Sequence, residues 1–248
     1  MSPSILAAAL WGAFAASSLV IGAVLALRVR FSNRVIGWAM GFGAGALIAA
    51  IAYELVPESI VGDASSGILV AFGAGALIFF GLDWVIDNRG GRHRKEIAGA
   101  RSPAGGSGMA IFLGTVLDGI PESLTLGLGM ALGGSIGISF VLAVFVSSIP
   151  EGFAGTNNML AEGDSKPKVL GLWLGLVIVS AAAAALGFVI VQAVPAVDGR
   201  IVQGLAAGAM LTMLADAMMP EAFEHGGKLV GLLTTLGFLM AAMLSVLE

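Results

Sequence analysis

Eight stretches of roughly 20 mostly apolar residues follow one another along this chain, and few folds can accommodate that pattern. They run Ile5–Leu27, Ile36–Val56, Gly67–Ile86, Gly108–Met130, Ser135–Thr156, Val169–Val194, Ile201–Met219 and Leu229–Leu247. Each is long enough, as a helix, to cross the hydrocarbon core of a bilayer, where a helix satisfies its own backbone. At 58% hydrophobic and 11% charged residues, with a mean hydropathy of +0.98, the chain lies outside the range of a water-soluble domain. Its 37 glycines and runs of alanine suit helices packed at close range in lipid. The expected fold is therefore all-α, a polytopic membrane protein with eight transmembrane helices. The first run is too long for a signal-peptide core and has no basic region before it, so it reads as a retained helix. Cysteine is absent, which excludes disulfides and thiolate metal sites.

The net charge of −4 says little, but the placement of the basic residues says much. Arg28, Arg30 and Arg34 lie between the first two runs. Arg89, Arg92, Arg94, Lys95 and Arg101 lie between the third and fourth, Lys166 and Lys168 between the fifth and sixth, and Lys228 between the last two. Of the 12 basic residues, only Arg200 falls in a connection on the opposite side. The positive-inside rule then puts both termini outside the cytoplasm and makes Asp87–Ser107 a long cytoplasmic loop. The link Ala131–Gly134 is so short that it predicts antiparallel neighbours for the fourth and fifth helices.

Two blocks of the chain match without a gap. Gly41-Phe42-Gly43-Ala44-Gly45-Ala46, ending in Val56-Pro57-Glu58, corresponds to Gly204-Leu205-Ala206-Ala207-Gly208-Ala209, ending in Met219-Pro220-Glu221. The second helix runs outward and the seventh inward, which is the pattern of an inverted-topology repeat.

Charge inside the apolar runs is concentrated in a second repeated pattern. Leu117-Asp118-Gly119-Ile120-Pro121-Glu122-Ser123 lies in the fourth run and Ser147-Ser148-Ile149-Pro150-Glu151-Gly152 in the fifth. Carboxylates at membrane depth are costly and mark function. Each proline removes a backbone donor and releases a carbonyl one turn earlier, that of Leu117 or Val146. Asp118 and Glu122 are four residues apart and share a helix face. Two carboxylates so close repel unless a proton or cation lies between them. With Glu151 and the hydroxyls of Ser147 and Ser148 they make an oxygen-rich set suited to a divalent cation.

Other polar groups are weaker candidates. Glu54 and Asp216, in the repeat helices, are either gate or supporting residues or helix-end groups at an interface. Asp83 and Asp87 read as interfacial. Glu221, Glu224 and His225 form a metal-capable cluster best read as a solvated loop, and His93 reads likewise. Asn157 and Asn158 are exit-path groups or a helix cap, while Met213 and Met218 either pack or line a path.

This layout resembles the ZIP (Zrt/Irt-like) divalent metal transporters over most of the chain. The family's fourth-helix motif, His-Asn-x-Pro-Glu-Gly, corresponds to Asp118-Gly119-Ile120-Pro121-Glu122-Ser123. Its fifth-helix motif, a polar pair before x-Pro-Glu-Gly, corresponds to Ser147-Ser148-Ile149-Pro150-Glu151-Gly152. The resemblance implies Glu122 and Glu151 as ligands directly, Asp118 by position with changed chemistry, and the serines more weakly. It departs from the family at Asp118 and Gly119, in the lack of an acid in the sixth run, and in a cytoplasmic loop with one histidine.

The expected architecture is a single transmembrane domain, 1–248, divided three, two and three. A first repeat, 1–86, and a loop, 87–107, precede a central pair carrying the metal site, 108–156, and a second repeat occupies 169–248. The expected function is transport of a divalent cation (zinc, iron(II) or manganese) across the plasma membrane, with that cation and the lipid bilayer as partners. No further cofactor and no nucleic acid are expected, and a homodimer is compatible with the pattern. A metal-binding sensor or partner protein that moves no ion is the alternative. An intramembrane hydrolase would need a nucleophile or phosphate-binding cations near the acids, and the runs hold no lysine or arginine near Asp118 or Glu151 and no histidine, so the chain does not read as an enzyme.

Overall fold

A computed structural model describes residues 4–56, 65–86, 88, 108–132, 137–193 and 199–247. Among them no strand occurs, and the helices follow the apolar runs. The first, α1, spans Ile5–Arg28, and the Ser4 hydroxyl accepts from the Ala7 amide at its start. The second, α2, spans Asn33–Ala50 and continues through a wide π turn, Ile51–Leu55. Then come α3 (Ser65–Ile86), α4 (Gly108–Ala131), α5 (Ile138–Ala161) and α6 (Lys166–Ala193). The seventh rod, α7, begins as Gly199–Met213, passes through a π turn at Leu214–Met218 and continues as Met219–Gly226. Gly227, at φ +65°, ends it in a conformation that favours glycine, and α8 follows over Leu229–Leu247.

Seven of these helices are long and apolar enough to cross a membrane. The helix α4, of 24 residues, carries Asp118, Pro121, Glu122 and Ser123 in its middle. Leu77, Ile178 and Val246 are 73%, 71% and 75% exposed, and many other large apolar side chains face outward with them. An apolar surface of that extent fits a lipid solvent and not water. The protein is membrane-embedded.

The helices pack as two groups. In one, α1 lies against α5 and α6, and α4 lies against α6. In the other, α2 lies against α8 and α3 against α7, with the end of α7 returning to α2. The groups meet chiefly where α2 crosses α5 and, less extensively, where α4 meets α7. Large buried side chains fill this junction, among them Met40, Leu47, Leu55, Phe140 and Met210. The helices α4 and α5 are in contact, but less extensively than α4 with α6 or α5 with α1, because glycines let those partners approach more closely. A Cβ at Gly127 would meet the Ala184 carbonyl of α6, and one at Gly152 would meet the Leu19 carbonyl of α1. A short link joins two helix ends without joining their lengths.

The two matching sequence blocks also match in their contacts. Gly45 of α2 is pressed on the Thr234 carbonyl of α8, and Gly208 of α7 on the Phe72 carbonyl of α3. Conversely, Gly237 of α8 rests on the Phe42 carbonyl and Gly75 of α3 on the Leu205 carbonyl. Phe42 and Leu205 are equivalent in the gapless alignment, as are Gly45 and Gly208. The two π turns fall at equivalent positions as well. Glycine-Ala composition alone would not place the same residue on the same kind of contact twice.

Candidate metal site

The site begins with two helices that keep their course through a proline. Pro121 lies inside α4 and Pro150 inside α5. Hydroxyls on the turns next to both prolines bond their own helix backbone. Thr125 donates to the Pro121 carbonyl at 2.8 Å, while Ser147 and Ser148 both donate to the Val144 carbonyl, at 2.9 and 2.8 Å. A serine that has placed its proton on the backbone offers oxygen lone pairs to whatever else approaches.

The three acids are deeply enclosed. Asp118 is 2%, Glu122 7% and Glu151 8% exposed, and Ser147 and Ser148 are buried beside them on α5. Ionised carboxylates at such burial require hydrogen bonds, a counter-charge or a proton. Gly119, between the two α4 acids in sequence, faces the Ser180 hydroxyl of α6, 3.9 Å from where a Cβ would stand. Ser147 lies on the opposite flank of the group, its Cα 2.6 Å from where a Cβ on Gly43 of α2 would stand. The acid-bearing helices therefore sit with one edge on α6 and the other on the second helix group.

Among the described residues, the three acid or histidine side chains whose ligand atoms all lie within 4.8 Å are Glu221, Glu224 and His225. That cluster is not the solvated loop expected of it. The helix runs on through Pro220 to Gly226, Glu221 is buried, and His225 Nδ1 lies 3.1 Å from a Glu221 carboxylate oxygen. The spacing places Glu221, Glu224 and His225 on one face of one helix, so their proximity follows from helical geometry.

The remaining candidates fall in other places. Glu54, in the π turn of α2, accepts hydrogen bonds from Ser139 of α5 and, at 2.9 Å, from Ser245 of α8. Asp216 is exposed on the π turn of α7. Asp83 is 3% exposed, turned into the bundle near the end of α3. Met213 and Met218 belong to the apolar core. Asn157 and Asn158 lie within α5, half-buried and short of its end. Asp87, His93, Pro57 and Glu58 lie outside the described residues, as does most of the Asp87–Ser107 connection.

Sequence reasoning missed a belt of buried hydroxyls and one amide. Ser18, Thr115, Ser123, Thr125, Thr156, Ser180 and Gln203 are all at most 6% exposed. Thr156 accepts from the indole of the fully buried Trp173, tying α5 to α6 at 2.8 Å. The signal was weak because a hydroxyl on a membrane helix can bond its own backbone and needs no partner across the bundle. Gln203, an amide in an apolar run, was the one that composition could have flagged. No protein-family model matches the chain, and no curated protein matches it.

Proposed function

We propose that this protein carries a divalent metal cation across the plasma membrane, as a divergent relative of the ZIP transporters. The observation that supports this most is the burial of Asp118, Glu122 and Glu151, at 2%, 7% and 8% exposure, in the middle of two proline-bearing helices. In this reading the cation sheds water and is held by oxygen from both helices, so that binding draws α4 and α5 together. Ser147 and Ser148 supply neutral oxygens beside Glu151. The absence of imidazole and thiolate from this set lessens the preference for zinc and favours manganese or iron(II).

The frame around the site is a three-two-three arrangement of eight spans with both termini outside. The paired glycine contacts of α2–α8 and α7–α3 support an inverted repeat, and a junction between two helix groups supplies a surface along which they can slide. Relative motion of the groups would expose the cation first to one side and then to the other. Protons compete with a cation for carboxylate oxygen, so uptake falls as pH falls.

Uptake of manganese(II) into proteoliposomes tests the proposal. Glu122→Ala with Glu151→Ala should abolish it, and unchanged uptake would end the transport reading. Calorimetric manganese binding without flux in the wild type would favour a sensor.

A further inference from the structure

We propose that Glu54 is a latch, a carboxylate on one helix group that holds the start of α5 in the other. Glu54 projects from the π turn that ends α2. Its Oε1 accepts the hydroxyl of Ser139, in the first turn of α5, and that of Ser245 on α8 at 2.9 Å. The two hydroxyls are themselves 3.0 Å apart, which closes a three-residue ring over three helices. Its other oxygen lies against Gly137, the residue that caps α5, where a Cβ would collide with it. The carboxylate thus sits at the positive end of a helix dipole, beside amides that have no partner within the helix.

Two of these elements, α2 and α8, belong to one helix group and α5 to the other. The ring is therefore a polar contact across a junction whose core is largely hydrocarbon packing. Apolar surfaces can slide with little preference for register, whereas a charge-assisted hydrogen bond exists in one register only. The π turn is a further sign of a position selected for its geometry, since the extra residue re-aims the side chains that follow it. In the equivalent turn of α7, alanine stands at the position matching Glu54. The latch is thus on one end of the molecule, and it stabilises one of the two arrangements of the groups. That the groups move during turnover rests on the transport reading above.

The chain has no cysteine, so a single introduced thiol reports the junction without background. Val141, 2% exposed and one turn beyond Gly137, is the reporter as Val141→Cys, read by its rate of reaction with a small methanethiosulfonate. Adding Glu54→Ala should raise that rate roughly tenfold, the equivalent of losing hydrogen bonds to a charged group. Glu54→Gln, which keeps size and one acceptor, should raise it less, and a control thiol at Val169 on α6 should keep its rate. A rate at Val141→Cys that changes in neither variant overturns the latch, as does an equal rise at the control site. The second arm joins the partners, using Ser139→Cys with Ser245→Cys oxidised to a disulfide in proteoliposomes. Manganese(II) flux should stop and return on reduction, and flux that persists through complete cross-linking overturns the latch. If the uncross-linked protein carries no manganese at all, the transport reading fails, while the labelling rates still decide whether Glu54 holds the junction.

Discussion

Two acidic regions of this molecule look alike in composition and differ in construction. Glu221, Glu224 and His225 lie on one helix face, already within 4.8 Å of each other, and Glu224 is exposed. Asp118, Glu122 and Glu151 are divided between α4 and α5 and are all buried. The first is assembled by helical spacing and stays assembled whatever the bundle does. The second is assembled only by how two helices stand to each other, so in the proposed reading its affinity for a cation depends on conformation. That dependence is what a transporter requires, because a ligand shifts a conformational equilibrium only through differential affinity for the two states.

The sharpest way to break this comparison is to delete one carboxylate from each region. Glu122→Ala should lower manganese affinity, measured by calorimetry, by more than the roughly 10–100-fold that losing a supporting group around a metal costs. Glu224→Ala should leave uptake within about twofold of wild type, as a solvent-facing group far less constrained than a buried ligand. Equal losses in both would erase the distinction. Next in size, Gly45→Val and Gly208→Val test whether the matched contacts are matched in energy. Each places a branched side chain against a backbone carbonyl, and each should lower stability in detergent by about 1–3 kcal/mol or more. A large loss in one and none in the other would show that the halves are not equivalent. Asp118→His is expected to shift competition between zinc and manganese toward zinc by about tenfold, since imidazole suits zinc better than carboxylate does. A modest effect, on stability alone, belongs to Trp173→Phe, outside both regions. It removes the donor to Thr156 and should cost about 1 kcal/mol in thermal unfolding, with uptake retained.

Much of this molecule was legible in the sequence, and for definite reasons. The helices fall where apolar runs predicted them, because in lipid the run length is the helix length. The burial of the three acids followed from their place in those runs. The repeat was visible as glycines at matched positions, since only glycine permits the backbone contacts that Gly45 and Gly208 make. What could not be read was partnership. The short Ala131–Gly134 link made α4 and α5 neighbours but said nothing of how extensively they pack, since close approach is decided by where small residues face one another, and those of α4 face α6. The end of α7 was misplaced because Pro-Glu after Met219 reads as a stop. Proline also fits the first turn of a helical segment, where its missing donor is no loss. The corner formed by Glu54, Ser139 and Ser245 was invisible, since its partners lie 85 and 191 residues from Glu54 and neither serine stands out in composition.

The claim at the centre is that a cation is held by the divided acids and not by the compact cluster. Anomalous scattering from manganese(II), in crystals of the full chain grown with the metal, locates it directly. The account predicts a peak between α4 and α5, within bonding distance of oxygens from Glu122 and Glu151 and near Asp118. A peak confined to Glu221, Glu224 and His225, with none beside the buried acids, would contradict it.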